Sequence, residues 1–149
     1  MATRTIAINY AKSNGLGLCI RIDKSHLEEK DISLHISNFI KDNELSIENI
    51  DLFVDLGVIN QNTIAVEITK QLAYIPDLEK WRSFIVSGGV FPKNLTEFIP
   101  GRVHELHRLD WQLWKAIRET ELSRKPIFSD YTIQCPDYER LDAIGSVSV

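Results

Sequence analysis

Four strand-like runs of this chain each end in residues that could do chemistry. Arg21 and Asp23 close the first, Asp55 and Gly57 the second, Ser87-Gly88-Gly89 the third, and Asp130 with Tyr131 the fourth. Parallel α/β sheets gather the carboxyl ends of their strands on one rim, and that rim is where such proteins carry their sites. On one rim, Asp55 and Asp130 are the candidate catalytic residues, able to share acid/base work or to hold a divalent cation. Arg21 can grip a carboxylate or phosphate with its planar fork. Ser87, Gly88 and Gly89 can offer backbone N–H groups to an anion, and Tyr131 completes the ligand-binding candidates. Each has a plainer reading. An Asp after a buried strand often caps a helix or makes a turn, and an arginine beside it can simply be its counter-ion. Glycine-rich turns follow many strands, and the chain has neither G-x-x-x-x-G-K-[ST] nor G-x-G-x-x-G.

Other constellations are weaker. His104 and His107 at i, i+3 would share a helix face, but zincins need H-E-x-x-H, and no third ligand is evident. No metal site is assigned to them. Trp111 and Trp114 read as core or interface anchors of a long helix. Cys19 and Cys135 stand in apolar runs with no C-x-x-C, which suits buried thiols in a reducing cytoplasm rather than a disulfide. Arg102, Arg108, Arg118, Arg124 and Lys125 are interleaved with acids, as on a solvated helix face. The net charge of −4 also argues against bulk binding to nucleic acid. No motif names a cofactor or fixes a reaction.

These residues need elements to position them. Apolar spacing predicts helices over 5–14, 31–42, 62–74 and 102–122. The last carries Val103, Leu106, Leu109, Leu113 and Ile117 as its stripe. Strands are predicted over 16–22, 49–56, 82–86 and 126–131, with 132–135 as an extension of the last. Residues 16–22 are apolar on both faces until Arg21, the pattern of a parallel strand covered on both sides. Pro76-Asp77 should interrupt the third helix before a further turn at 78–81. Residues 91–98 read as a loop with a short turn capped by Asn94, and Pro100-Gly101 breaks the chain. The alternation predicts an α/β fold with a mostly parallel sheet and right-handed crossovers, either a βα barrel, of which four strands would be half of a (β/α)8 barrel, or a doubly wound sheet.

At 149 residues, 44% hydrophobic and 26% charged, the chain can bury one core. No run approaches 18 apolar residues, so no membrane span is expected, and a cytoplasmic location is. The start inside a helix and the strand-like tail at 144–149 suggest a single α/β unit cut from a longer barrel-like protein. Its open sheet edge would then invite a homodimer.

Four stretches carry a resemblance. They are Asp51-Leu52-Phe53-Val54-Asp55-Leu56-Gly57, Ser87-Gly88-Gly89-Val90-Phe91-Pro92, Arg108-Leu109-Asp110-Trp111-Gln112-Leu113-Trp114 and Phe128-Ser129-Asp130-Tyr131. In this order they resemble the later half of the Beta protein family, whose members occur in phages, prophages and other bacterial mobile elements and have no assigned activity. Members often have Gly where this chain has Ser129, and continue with a basic, aromatic segment that is absent here. The resemblance implies a barrel-like α/β fold in a phage-related or phage-defence setting, and supplies no catalytic residues. Two functions are open. One is an enzyme-like rim that binds an anionic small molecule or a divalent metal. The other is a non-catalytic module that engages a protein partner in a phage-defence or toxin-neutralising locus. Exposure of Trp111 and Trp114 on one patch would favour the second.

Overall fold

The structure, a computed structural model, describes residues 2–133 and 135–136. The elements run α1 (Ala2–Ser13), β1 (Leu18–Asp23), α2 (Lys24–Leu27), α3 (Ile32–Asp42), β2 (Ile50–Val58), α4 (Ala65–Leu72), β3 (Ser83–Gly89), α5 (Leu109–Arg118) and β4 (Ile127–Ser129). The four strands pair in parallel in the order β1-β2-β3-β4. The α/β architecture with a parallel sheet is therefore as the sequence implies. Strands laid down in chain order are singly wound, which is how a βα barrel wall is built; doubly wound sheets reverse their order partway.

One face of the sheet makes the core. Ile22, Ile50, Leu52, Val54, Leu56, Phe84 and Val86 alternate inward and pack on Ile32 and Ile36 of α3, Ile68 and Leu72 of α4, and Leu113 and Ile117 of α5. Leu52, Val54 and Phe84 are fully buried there. The opposite face carries Arg21 and Asp23 from β1, Asp51, Phe53 and Asp55 from β2, Ser83, Ile85 and Ser87 from β3, and Ser129 from β4. All the chemistry-bearing strand residues thus share the face away from the helices.

Several expectations change. β1 is an edge strand, with Cys19, Arg21 and Asp23 exposed, so it is not covered on both faces. Cys19 on that edge is exposed and Cys135 is half-buried, against the expected buried thiols. A short helix, α2, follows β1 directly; the Asp23 carboxylate caps it by accepting the His26 N–H at 3.1 Å. α4 begins only at Ala65, because Asn60 and Thr63 hold residues 60–63 in a turn. Residues 78–81 form turns after Asp77, which has φ 49°, and the buried Trp81 indole donates to the Pro76 carbonyl at 3.0 Å.

The long helix expected over 102–122 is only α5. Residues 102–108 are not helical. Val103 is 97% exposed and Leu106 38%, so the first part of the apolar stripe has no sheet beneath it. Helix forms where Leu113 and Ile117 reach the core, since packing rather than spacing stabilises a short helix. β4 stops at Ser129, and Thr132 has φ 56° and sits in a turn, so the expected extension does not begin there. The strand-like tail at 144–149 lies outside the described residues.

The Ser87-Gly88-Gly89 stretch is not a turn after β3 but the end of β3 itself, and it is buried. Gly88 serves close packing: a Cβ there would lie 2.7 Å from Cγ1 and 2.8 Å from Cδ1 of Ile59. Ile59 N–H in turn donates to the Gly89 carbonyl at 2.9 Å, so β2 and β3 stay in contact past the rim. We expect Gly88→Ala to destabilise the protein by about 1–3 kcal/mol through overpacking. In urea denaturation, Gly88→Ala/Ile59→Ala should lose less than the sum of its single variants.

Candidate functional site at the carboxyl rim

Asp55 lies three residues before the end of the inner strand β2, and its side chain is 3% exposed. A carboxylate buried so far must be matched by donors. Three supply it. Arg21 Nη2 from β1 donates to Oδ2. The Tyr131 hydroxyl, two residues past β4, donates to the same oxygen. The Gly57 N–H donates to Oδ1 at 2.9 Å. That last bond depends on a bulge: between Asp55 and Val58, β2 carries one residue more than β3, and Gly57 sits there at φ 64°. A left-handed residue is easiest for glycine, and bulges recur where a strand must re-aim its end.

The result is one cluster that spans the sheet. Arg21 Nη2 also reaches the Tyr131 hydroxyl oxygen at 3.4 Å. A cleft of about 270 Å³ opens over it, lined by Arg21, Asp23, Lys24, Ser25, Asp55 and Tyr131 among others. Arg21 is the accessible partner, 65% exposed. The hydrogen bond to Asp55 raises its already high pKa further, so the guanidinium stays charged. Burial and the hydrogen bond to Asp55 push the Tyr131 phenol up to about 12. At neutral pH Tyr131 is therefore a proton-bearing donor and not a base. Asp55 accepts three hydrogen bonds and so holds Arg21 and Tyr131 in place. The cations at the cleft, the exposed Arg21 and the half-buried Lys24, suit an anion.

Arg21, Asp55 and Tyr131 were all named from the sequence, and the structure brings them together. Ser87 is buried and lies in register beside Asp55, on the same face, with Ser129 next to it. Gly88 and Gly89 are also buried at the end of β3. Asp130 is not part of the cleft. Its Oδ2 accepts from Arg108 Nη2 at 2.8 Å, and its Oδ1 accepts the Thr132 N–H at 3.1 Å. Arg108 in turn forks onto the buried Asp110, with Nε to Oδ1 at 3.0 Å and Nη2 to Oδ2 at 2.9 Å. The two candidate catalytic carboxylates are thus committed to different arginines. Among the described residues, no group of three His, Cys, Asp or Glu side chains is placed to hold a metal ion.

His104 and His107 do not share a helix face, because α5 starts after them; His104 lies against the Ile99 carbonyl at 3.0 Å and edge-on to Phe98. Trp111 and Trp114 stack at 4.7 Å and both meet Phe128 edge-on. Trp111 is 40% exposed, while Trp114 is half-buried and donates to the Pro126 carbonyl at 3.2 Å. Arg118 sits over the Trp114 ring at 4.9 Å.

Asp110 went unnoticed as a rim residue. Its signal was Arg108-Leu109-Asp110 at a helix start, where an acid two residues after an arginine can fold back on it. Asp51 was also missed. At the opposite, amino end of the sheet Arg82 Nε donates to Asp51 Oδ1 at 2.9 Å, and Ser83 Oγ donates to the same oxygen at 2.7 Å. These bonds hold the Asp51 carboxyl down at about 2. Cys19 lies in register with Asp51, and burial, then the Asp51 charge, raises its thiol pKa, so it is no activated nucleophile.

No helix of the described residues is long and apolar enough to cross a membrane. A family model described as Beta protein matches residues 2–148, nearly the whole chain. No curated protein and no solved structure matches it.

Two titrations follow. The Asp51 carboxyl is depressed from 3.8 to about 2 in the fold, so its contribution is present above pH 3.8 and is lost as pH falls toward 2. Asp51→Asn should be less stable than the parent at pH 6, and the gap should close between pH 4 and pH 2 in urea melts. The Tyr131 phenol is raised from 10.0 to about 12, so its contribution is present below pH 10 and is lost as pH rises toward 12. Absorbance at the phenolate band should show one tyrosine that ionises about two pH steps late, and Tyr131→Phe should remove that step.

Proposed function

The chain belongs to the Beta protein family, and from that premise we propose that it is a barrel-wall protein whose carboxyl rim binds an anionic small molecule. One observation carries this reading: an exposed guanidinium, Arg21, is held from behind by a buried carboxylate and lines an open cleft with Lys24. An arginine fixed in this way loses little freedom when it meets a carboxylate or phosphate. The anion reading is favoured over a divalent metal because Asp55 already accepts three hydrogen bonds and Asp130 belongs to another cluster. The chain-order sheet with its helices on one face supports reading the wall as part of a (β/α)8-type barrel, with the Asp55 face turned to the barrel interior. The phage and mobile-element setting of the family belongs to the same proposal.

A second reading rests on Trp111. It presents an exposed ring on a stack with Trp114 and Phe128, and a partner protein could cover that patch. It competes with the rim reading for function, not for residues.

Calorimetric titration of phosphate, sulfate and simple carboxylates separates them. We expect binding by the parent and at least roughly tenfold weaker binding by Arg21→Lys, which keeps the charge beside Asp55 but loses the fork. Trp111→Ala should leave it unchanged. Absence of heat with every anion, or equal affinity in Arg21→Lys, would sink the rim reading.

A further inference from the structure

Arg21 lines a second space. A groove of about 530 Å³ runs between α1, the edge strand β1 and α3. Its walls are Ile8, Leu18, Ile20, Ile32, Ile36 and Phe39, so it is apolar along most of its length. Polar groups also line it: His26, paired with Asp23 at 2.8 Å, and His35, paired with Glu29 at 3.2 Å. The size is that of a small-molecule site, and an apolar lining with a few grouped polar residues is the usual composition of one. Arg21 is common to this groove and to the rim cleft. Arg21, whose guanidinium belongs to the Asp55 cluster, is therefore a wall that the two spaces share.

We propose that the ligand of the rim is an amphipathic anion: its carboxylate or phosphate head meets Arg21, and its aliphatic tail lies in the groove between α1 and α3. This rests on the rim reading above and adds what the anion must carry. The paired neighbours fit it. Asp23 lies 2.8 Å from His26 Nδ1 and Glu29 3.2 Å from His35 Nδ1, so each carboxylate already has a partner of its own. The tail would cover Ile20 and Leu18, which are half-buried on the edge strand and whose apolar surface the sheet itself leaves open.

Calorimetry with inorganic phosphate and with butyl, hexyl and octyl phosphate, all below their micelle concentrations, tests this. Affinity should rise by about threefold to fourfold for each methylene buried. Ala7, an exposed α1 residue on the groove wall, gives a variant that need not disturb the core. Ala7→Trp should fill the groove, abolish the chain-length dependence and leave inorganic phosphate binding as it was. Phosphate binding through Arg21 with no chain-length dependence would overturn the groove proposal and leave the rim reading intact. No binding of any phosphate would overturn both. A chain-length dependence that persists unchanged in Arg21→Lys would overturn the shared role of Arg21. Light scattering gives a further check: a dimer that Ala7→Trp dissociates would mean that a second copy fills the groove, and would overturn the small-molecule proposal.

Discussion

A carboxylate 3% exposed near the end of the inner strand β2 is the constraint around which the rim is built. Asp55 would be costly to bury as a bare charge, by several kcal/mol even after relaxation. Each of its partners comes from a different part of the chain: Arg21 from β1, Gly57 from the β2 bulge, Tyr131 from beyond β4. Burying the charge therefore requires β1 and β2 to hold the observed register, which keeps Arg21 within reach of Asp55. A slip of one residue would turn Asp55 into the helix-covered core and Val54 to the rim. The ion pair does not make the sheet stable; the buried Leu52, Val54 and Phe84 do that. What it supplies is a reason for a single register at the rim.

The two ends of the sheet use the same chemistry for different ends. At the amino end Arg82 and Ser83 close on Asp51, and Arg124 donates to the Trp81 carbonyl and, at 3.0 Å, to the Arg82 carbonyl. Everything there is paired side chain to backbone or side chain to side chain within a few residues of the strand starts. At the carboxyl end the pairing leaves Arg21 open to a cleft. The Arg108 cluster lies beside it and pins Asp130, the residue before Tyr131. Asp130 and Tyr131 thus tie two arginine clusters into one rim, with the more buried carboxylates, Asp55 and Asp110, behind each guanidinium.

How much of this could be read in the sequence follows from which forces are local. The four parallel strands were legible because apolar runs such as Ile50 to Leu56 are periodic and end in turn residues. Arg21, Asp55 and Tyr131 could be grouped because chain-order strands put their carboxyl ends together. The failures share a cause too. Residues 102–108 have helical spacing, yet with no sheet beneath Val103 and Leu106 the spacing had nothing to pack against. Ser87-Gly88-Gly89 looks like a turn, but whether glycine serves a turn or a close contact depends on Ile59, which lies nearly thirty residues away in sequence. The exposure of Cys19 depended on β1 being an edge, which only sheet order reveals. Asp130 was paired with Asp55 by strand logic, and Arg108 took it because a fork already held on Asp110 was nearer.

The edge position of β1 has a further consequence. An interior strand would have its Leu18 and Ile20 covered by neighbours, and Arg21 would face only the rim. At the edge, the same strand leaves its flank open between α1 and α3 while Arg21 remains held by Asp55. Edge strands are commonly guarded by charge against pairing with other chains. Here Arg21, with Asp23 and His26 close by, puts charged groups at the carboxyl end of that edge. The same charge that discourages a neighbouring strand is what an anionic head would meet. A groove that is apolar along most of its lining and includes Arg21 discriminates between occupants: it offers a bare inorganic anion nothing beyond the rim, and matches a molecule with both an apolar part and an anionic head.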